Sequence, residues 1–252
     1  MSHNLDFEPN PSSINDMDQI FNRQKDHYRN NVNPTLEQRR ENLSVLKALL
    51  MRYQEQLIEA VSEDYGHRAK HDSLIADITP SLHQINYSDK NLKKWLKPSR
   101  RKAGLMLMPA KITVHYQPVG VVGIIVPWNF PTVMAAWKIG PALATGNSVI
   151  IKPSEKSPLT AILLAELASQ AGIPDGVLQV LPGFGHEAGQ ALALHQDVDC
   201  ITFTGSTAIG KKLLTFAGES NLKRTFMECG GKSPHIVHDD VKNIEKAAAT
   251  AA

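Results

Sequence analysis

Over the first hundred positions the apolar residues recur at helical spacing. Leu43, Leu46, Leu50, Leu57 and Val61 fall on shared helix faces, and glycine is nearly absent between about Met17 and Leu96, a pattern that predicts helices throughout this stretch. It changes at "KPSRRKAGLMLMPAKITVHYQPVG", where Pro98, Gly104, Pro109 and Pro118 bracket a β-rich run with alternation at Ile112, Val114 and Tyr116. We place a boundary near residue 100. Beyond it, short β-branched runs, "VGIIVPW", "SVIIKPS", "GVLQVLPG", "CITFTGS" and "RTFME", alternate with helical stretches. That alternation implies crossover connections and a mostly parallel sheet covered on both faces. The expected fold is therefore α/β: a doubly wound, Rossmann-like sheet over residues 101–252, preceded by a helical N-terminal segment, residues 1–100, packed on it. The alanine-rich "EKAAATAA" predicts the beginning of one more helix.

Composition narrows the partners. The 252 residues are 42% apolar, enough for a real core, and 27 basic residues nearly balance 25 acidic ones for a formal net charge of +2. No nucleic-acid or anionic-membrane partner is expected from so small a field; the basic run from Lys93 to Lys102 reads as a solvated helix end. The polar, acidic start "MSHNLDFEPNPSSINDMDQIF" lacks the basic region and apolar stretch of a secretory signal, so a cytoplasmic location is expected. The most apolar stretch, "VGVVGIIVPW", is far shorter than the roughly 20 residues of a spanning helix. Two cysteines, Cys200 and Cys229, make no disulfide framework, and ten histidines show no metal-binding spacing, so neither a disulfide nor a metal is expected.

In an open α/β sheet, ligands bind at the carboxyl ends of the strands, and the chemically equipped segments of this chain all follow predicted strands. In "FTGSTAIGKKLL", Gly205 and Gly210 enclose a strand-to-helix turn where Ser206 and Thr207 sit beside free helix N–H groups, an arrangement that suits a phosphate. By itself it is also an ordinary turn with Ser206 or Thr207 as N-cap. In "IKPSEKSP", Lys152 and Glu155 stand at a strand end in a loop stiffened by Pro153 and Pro158; the carboxylate can accept from a ribose diol, or the two can form a plain surface ion pair. In "PWNFP", Pro127 and Pro131 lock the backbone around Trp128 and Asn129, whose amide can donate to a developing oxyanion or bond its own turn. "FMECGGKSP" sets Glu228 at the end of a strand, as a base or as a cap.

Five of these segments, "VPWNFP", "GNSVIIKPSEKSP", "GIPDGVLQVLPGFG", "FTGSTAIGK" and "ECGGKSP", resemble in order and separation the aldehyde dehydrogenase superfamily, over essentially all of residues 105–240. The later part looks closest to gamma-glutamyl-aminobutyraldehyde dehydrogenases; the earlier part, with "DYGHRAKHDSLIADI", looks more like coniferyl aldehyde dehydrogenases. The resemblance implies a reaction in which a cysteine thiolate attacks an aldehyde, hydride passes to NAD, and water hydrolyses the thioester. It implies Asn129 as oxyanion donor and Glu228 as the base for that water. It also implies a cofactor site in which Pro127 and Trp128 line the cleft, Lys152 and Glu155 hold the adenosine ribose, and Gly205, Ser206 and Gly210 face the pyrophosphate. Glu155 disfavours a 2′-phosphate by charge repulsion, so NAD is expected over NADP, with a small-molecule aldehyde as substrate and a homodimer or homotetramer at full length.

Two departures qualify the expectation. Cys229 adjoins Glu228 but, as its neighbour on an extended segment, points to the opposite side, and Cys200 reads as a small core residue. The family's nucleophile lies in a Gly-Gln-x-Cys loop beyond the glutamate, past Ala252, so the chain is expected to be a truncated piece without a catalytic domain and inactive alone. Two alternatives stay open: a non-catalytic NAD-binding or partner-binding module, and an acylating relative that passes the thioester to a thiol.

Overall fold

The computed structural model describes residues 14–231 and 233–251; the polar start of the chain and Lys232 of the Gly-Gly-Lys turn lie outside the described residues. Helix α1 (Ile14–Asn30) is followed by α2 (Leu36–Arg52) and α3 (Gln54–Asp64). A short α4 (Lys70–Ser73) runs through a π turn at Leu74–Ile78 into α5 (Thr79–Trp95). Thr35 and Gln38 start α2 with a reciprocal capping box, and a proline in the first turn starts α5. Strands β1 (Ser99–Arg101) and β2 (Ile112–Val114) then form a small antiparallel pair. The predicted run ends two residues early here: Tyr116 lies past β2, and its hydroxyl sits 3.1 Å from Ser99 Oγ.

The main sheet follows, with each predicted strand in its place: β3 (Val121–Ile125), α6 (Pro131–Ala144), β4 (Ser148–Lys152), α7 (Leu159–Gln170), β5 (Leu178–Val180). A π turn at Gly185–Gly189 leads into α8 (Gln190–Leu194), then β6 (Cys200–Gly205), α9 (Thr207–Glu219), β7 (Arg224–Cys229) and finally α10 (Ile244–Ala251). All five strands are parallel, in the order β5-β4-β3-β6-β7.

Alternation along β3 separates two cores. Val122, Ile124 and Val126 join Leu43, Leu50, Ile85, Leu143 and Leu164 on one face, while Val121 and Ile125 join Phe21, Leu192, Phe203 and Leu213 on the other, as the two-residue period of a strand requires. Every residue of β3 and β4 is buried, the mark of strands covered on both sides. Gly123 is needed for that cover: a Cβ there would lie 2.6 Å from Ile201 Cδ1 and 3.2 Å from Leu192 Cγ, so only glycine lets α8 approach. On the first face α6 and α7 lie on the sheet, and α2, α3 and α5 pack against them in turn. Among the described residues no helix is long and apolar enough to cross a membrane.

From β3 the chain moves outward through β4 to β5, then returns to place β6 on β3's other side. A sheet whose order reverses in this way opens a crevice between the carboxyl ends of the two strands at the reversal, here β3 and β6.

Candidate active site

A cleft of about 560 Å³ occupies that crevice. Pro127 and Trp128 line it from the end of β3, Lys152 and Glu155 from β4, and Gly205 and Ser206 from β6. His186, in the π turn after β5, and Lys212, on α9, add to its polar lining; the sequence reading did not single out either one. A smaller cavity of about 230 Å³ lies instead against Arg39, Gly146 and Asn147, before β4, and none of the loops after the strands reaches it.

Lys152 is 3% exposed, and its Nζ donates to Glu155 Oε2 at 3.2 Å. Of the two readings of this pair, the surface ion pair fails on the lysine side. Burial lowers the Lys152 pKa, and the Glu155 charge and hydrogen bond only partly restore it. Burial pushes Glu155 the other way, but its own backbone N–H and Lys152 outweigh that and hold its carboxyl below the usual range. The result is a buried ammonium beside a half-exposed carboxylate, a donor and an acceptor side by side at the floor of a cleft, which suits a pair of vicinal hydroxyls.

At the start of α9, Ser206 is the N-cap, its Oγ accepting from Ile209 N–H at 3.4 Å. Both glycines of this turn are required by close approach. A Cβ on Gly205 would lie 2.4 Å from Phe203 Cζ, and one on Gly210 would lie 2.8 Å from Cys229 Sγ. Ser206 and Ile209 of this helix start line a cleft whose walls also carry Lys152 and Lys212, and a helix N-terminus beside two lysines favours an anion.

Asn129 and Glu228 stand outside this cleft, and Gly210, expected beside Gly205 and Ser206, is buried behind its lining with its N–H donated to the Ser206 carbonyl oxygen. Asn129 is exposed, just before α6, and its side chain has no hydrogen-bond partner among the described residues; the alternative of an asparagine bonding its own turn is not what the structure holds. Glu228 is exposed in β7, opposite Thr204 in register. It shares a face of the sheet with Lys138 of α6, whose Nζ donates to Thr202 Oγ1 at 3.0 Å; burial lowers the Lys138 pKa and the Glu228 charge offsets part of that. Cys229 lies on the opposite face, against Gly210 and α9, as the strand alternation predicted, and Cys200 is buried in the core. The sequence reading passed over Lys138, although a single lysine within the apolar run "VMAAWKIGPALA" was a visible signal. Among the described residues no group of three or more His, Cys, Asp or Glu side chains is placed to hold a metal ion.

Comparison with known proteins agrees with this layout. Over 229 residues, 90% of this chain, 42% are identical to a probable coniferyl aldehyde dehydrogenase of Pseudomonas aeruginosa, of which 47% is covered. Over 136 residues, 54% of this chain, 62% are identical to the NADP/NAD-dependent aldehyde dehydrogenase PuuC of Escherichia coli, of which 28% is covered. Among solved structures, an indole-3-acetaldehyde dehydrogenase with NAD+ superposes with a TM-score of 0.84 at 43% identity, covering 94% of this chain and 47% of that one. A gamma-glutamyl-gamma-aminobutyraldehyde dehydrogenase from Burkholderia cenocepacia superposes with a TM-score of 0.83 at 42% identity, with the same coverage. The chain spans about half the length or less of these relatives. With the profile of the aldehyde dehydrogenase family matching residues 10–252, the chain belongs to that family.

Proposed function

We propose that these residues form the cofactor-binding part of an NAD-dependent aldehyde dehydrogenase that oxidises a small-molecule aldehyde to a carboxylic acid through a cysteine thioester. The observation that carries the reading is the buried Lys152 paired with Glu155 in the crevice between β3 and β6. Lys152 donates to, and Glu155 accepts from, the adenosine ribose, while the first turn of α9, with Ser206 and Gly205, borders the pyrophosphate. When bound, NAD supplies the hydride acceptor. Asn129 donates to the oxygen that gains charge as the aldehyde is attacked, and Glu228 takes the proton of the hydrolytic water. The two cysteines of this chain do not serve as the attacking thiol, since Cys200 is buried and Cys229 faces away from Glu228; the thiol belongs to a part of the protein outside these residues. A homodimer or homotetramer in the cytoplasm is the assembly and location we propose for the whole protein.

Lys152→Met is the discriminating variant, because it keeps the buried stem and removes only the charge, leaving the 41%-exposed Glu155 solvated. A hydrogen bond to a charged group contributes roughly 1.5–3 kcal/mol, so the NAD dissociation constant, measured by titration calorimetry, is expected to rise about tenfold or more. Glu155→Gln is expected to narrow the preference for NAD over NADP. Unchanged NAD binding by Lys152→Met, or no NAD-linked oxidation by the natural-length protein across aliphatic and aromatic aldehydes, would overturn the proposal.

A further inference from the structure

The segment "EDYGHRAKHDSLIADI" contributes nothing to the cleft, yet three of its side chains converge on the turn that carries Asn129. Tyr65 donates its hydroxyl to the Trp128 carbonyl oxygen, which also accepts from Ser157 Oγ at 3.3 Å. Asp77, fully buried, accepts at Oδ1 from the Val133 N–H at 3.0 Å. Arg68 lies between them: its guanidinium carbon is 5.2 Å from the centre of the Tyr65 ring and 5.4 Å from that of Phe130. Its Nη1 is 3.1 Å from Asp77 Oδ2, an ion-pair contact without hydrogen-bond geometry.

Two features separate this cluster from ordinary packing. A buried carboxylate is costly unless it is paired and hydrogen-bonded, and the backbone N–H groups that Asp77 accepts from belong to the first turn of α6, while its charge is paired with Arg68 of its own segment. The N-cap position of α6 is also filled by Phe130, which has no side-chain acceptor, and the helix makes no side-chain cap bond of its own. Asparagine is a preferred capping residue, and Asn129 stands one position away. Asp77 takes that task from a distant part of the chain, and the amide of Asn129 is left free.

We propose that Tyr65, Arg68 and Asp77 form a clasp that fixes the 127–131 turn and the first turn of α6, and are thereby positioning residues for Asn129. The clasp stands on its own geometry; its positioning role rests on the reading of Asn129 as the oxyanion donor.

The test separates those two levels, using the natural-length protein. Tyr65→Phe removes one hydroxyl, and Asp77→Asn keeps the acceptor while removing the charge. Hydrogen exchange followed by mass spectrometry is expected to show amides within residues 128–134 of both variants exchanging about fivefold faster or more, with β4 and β6 unchanged. Equal protection in that segment would overturn the clasp, whatever the activity. For the positioning role, Tyr65→Phe is expected to lower kcat roughly three- to tenfold, the range covered by one hydrogen bond, with little change in KM for NAD. Asn129→Ala lowers kcat further, and the double variant falls no lower than Asn129→Ala alone. Losses that multiply in the double variant would overturn positioning through Asn129. A wild-type protein without aldehyde oxidation would sink the proposed function and the positioning role, while the exchange measurement still decides the clasp.

Discussion

At Gly210 the reason for the residue is a sulfur atom. A methyl group there would stand 2.8 Å from Cys229 Sγ, so α9 lies against β7 only while one of the two partners is small. Overpacking of this kind costs about 1–3 kcal/mol, and Gly210→Ala is expected to lose stability of that order in urea unfolding. Cys229→Ala should recover most of the loss in the double variant; simple addition of the two effects would contradict the geometry. The same contact shows what sequence could and could not tell at this scale. Strand alternation was enough to turn Cys229 away from Glu228, and the position of Lys152 after a β-branched run was enough to mark it. That Lys152 is buried, and that the two glycines answer to Phe203 and Cys229, depends on contacts between distant segments that no local pattern records.

At the scale of elements, the ends of helices were the least legible. Strands β3, β4 and β6 announced themselves as β-branched runs bounded by glycine and proline, whereas alternation carried the predicted run at Ile112 past its true end toward Tyr116. The caps of α6 and α7 come from side chains far away in sequence. For α7 the partner is Asp64, whose Oδ2 accepts from the Leu159 N–H at 3.2 Å. Burial pushes the Asp64 carboxyl from 3.8 up to about 7, with Leu159 opposing and Glu63 adding to the rise. Folded Asp64 thus binds its proton more tightly than the unfolded chain does. Its contribution is fully present below about pH 4 and is lost as pH rises through about 7. Asp64→Asn keeps an acceptor for Leu159 and never ionises, so its stability relative to the wild type is expected to increase from pH 5 to pH 8. Urea midpoints measured at both pH values would check this; the same difference at each would mean that Asp64 does not titrate in that window.

For the whole molecule, the parallel sheet and the helical segment packed on it were legible, and the extent to which the two share one core was not drawn. The segments singled out as chemical follow strands at their carboxyl ends, and the reversal of order between β3 and β6 opens there the cleft that several of them line. The boundary drawn near residue 100 marks a change of secondary structure, yet the core crosses it: Leu43, Leu50, Leu57 and Ile85 form one cluster with Ile124, Leu143 and Leu164. The sequence did contain the sign of this. Helices α6, "PTVMAAWKIGPALA", and α7, "LTAILLAELASQ", are apolar on nearly every side, and a helix of that kind must be covered all round. The sheet covers one side, and α2, α3 and α5 cover the other. Removing the helical segment would expose several large side chains, each contributing about 1.5–3 kcal/mol by burial, against a total stability of roughly 5–15 kcal/mol for a domain. It would also remove Asp64 and Asp77 from the starts of both helices. A polypeptide of residues 103–252 is therefore expected not to fold cooperatively: broad urea unfolding, weak near-ultraviolet dichroism and strong binding of an apolar dye. A sharp two-state transition from that polypeptide would mean that the α/β half holds itself together and that the helical segment is an addition to a finished domain.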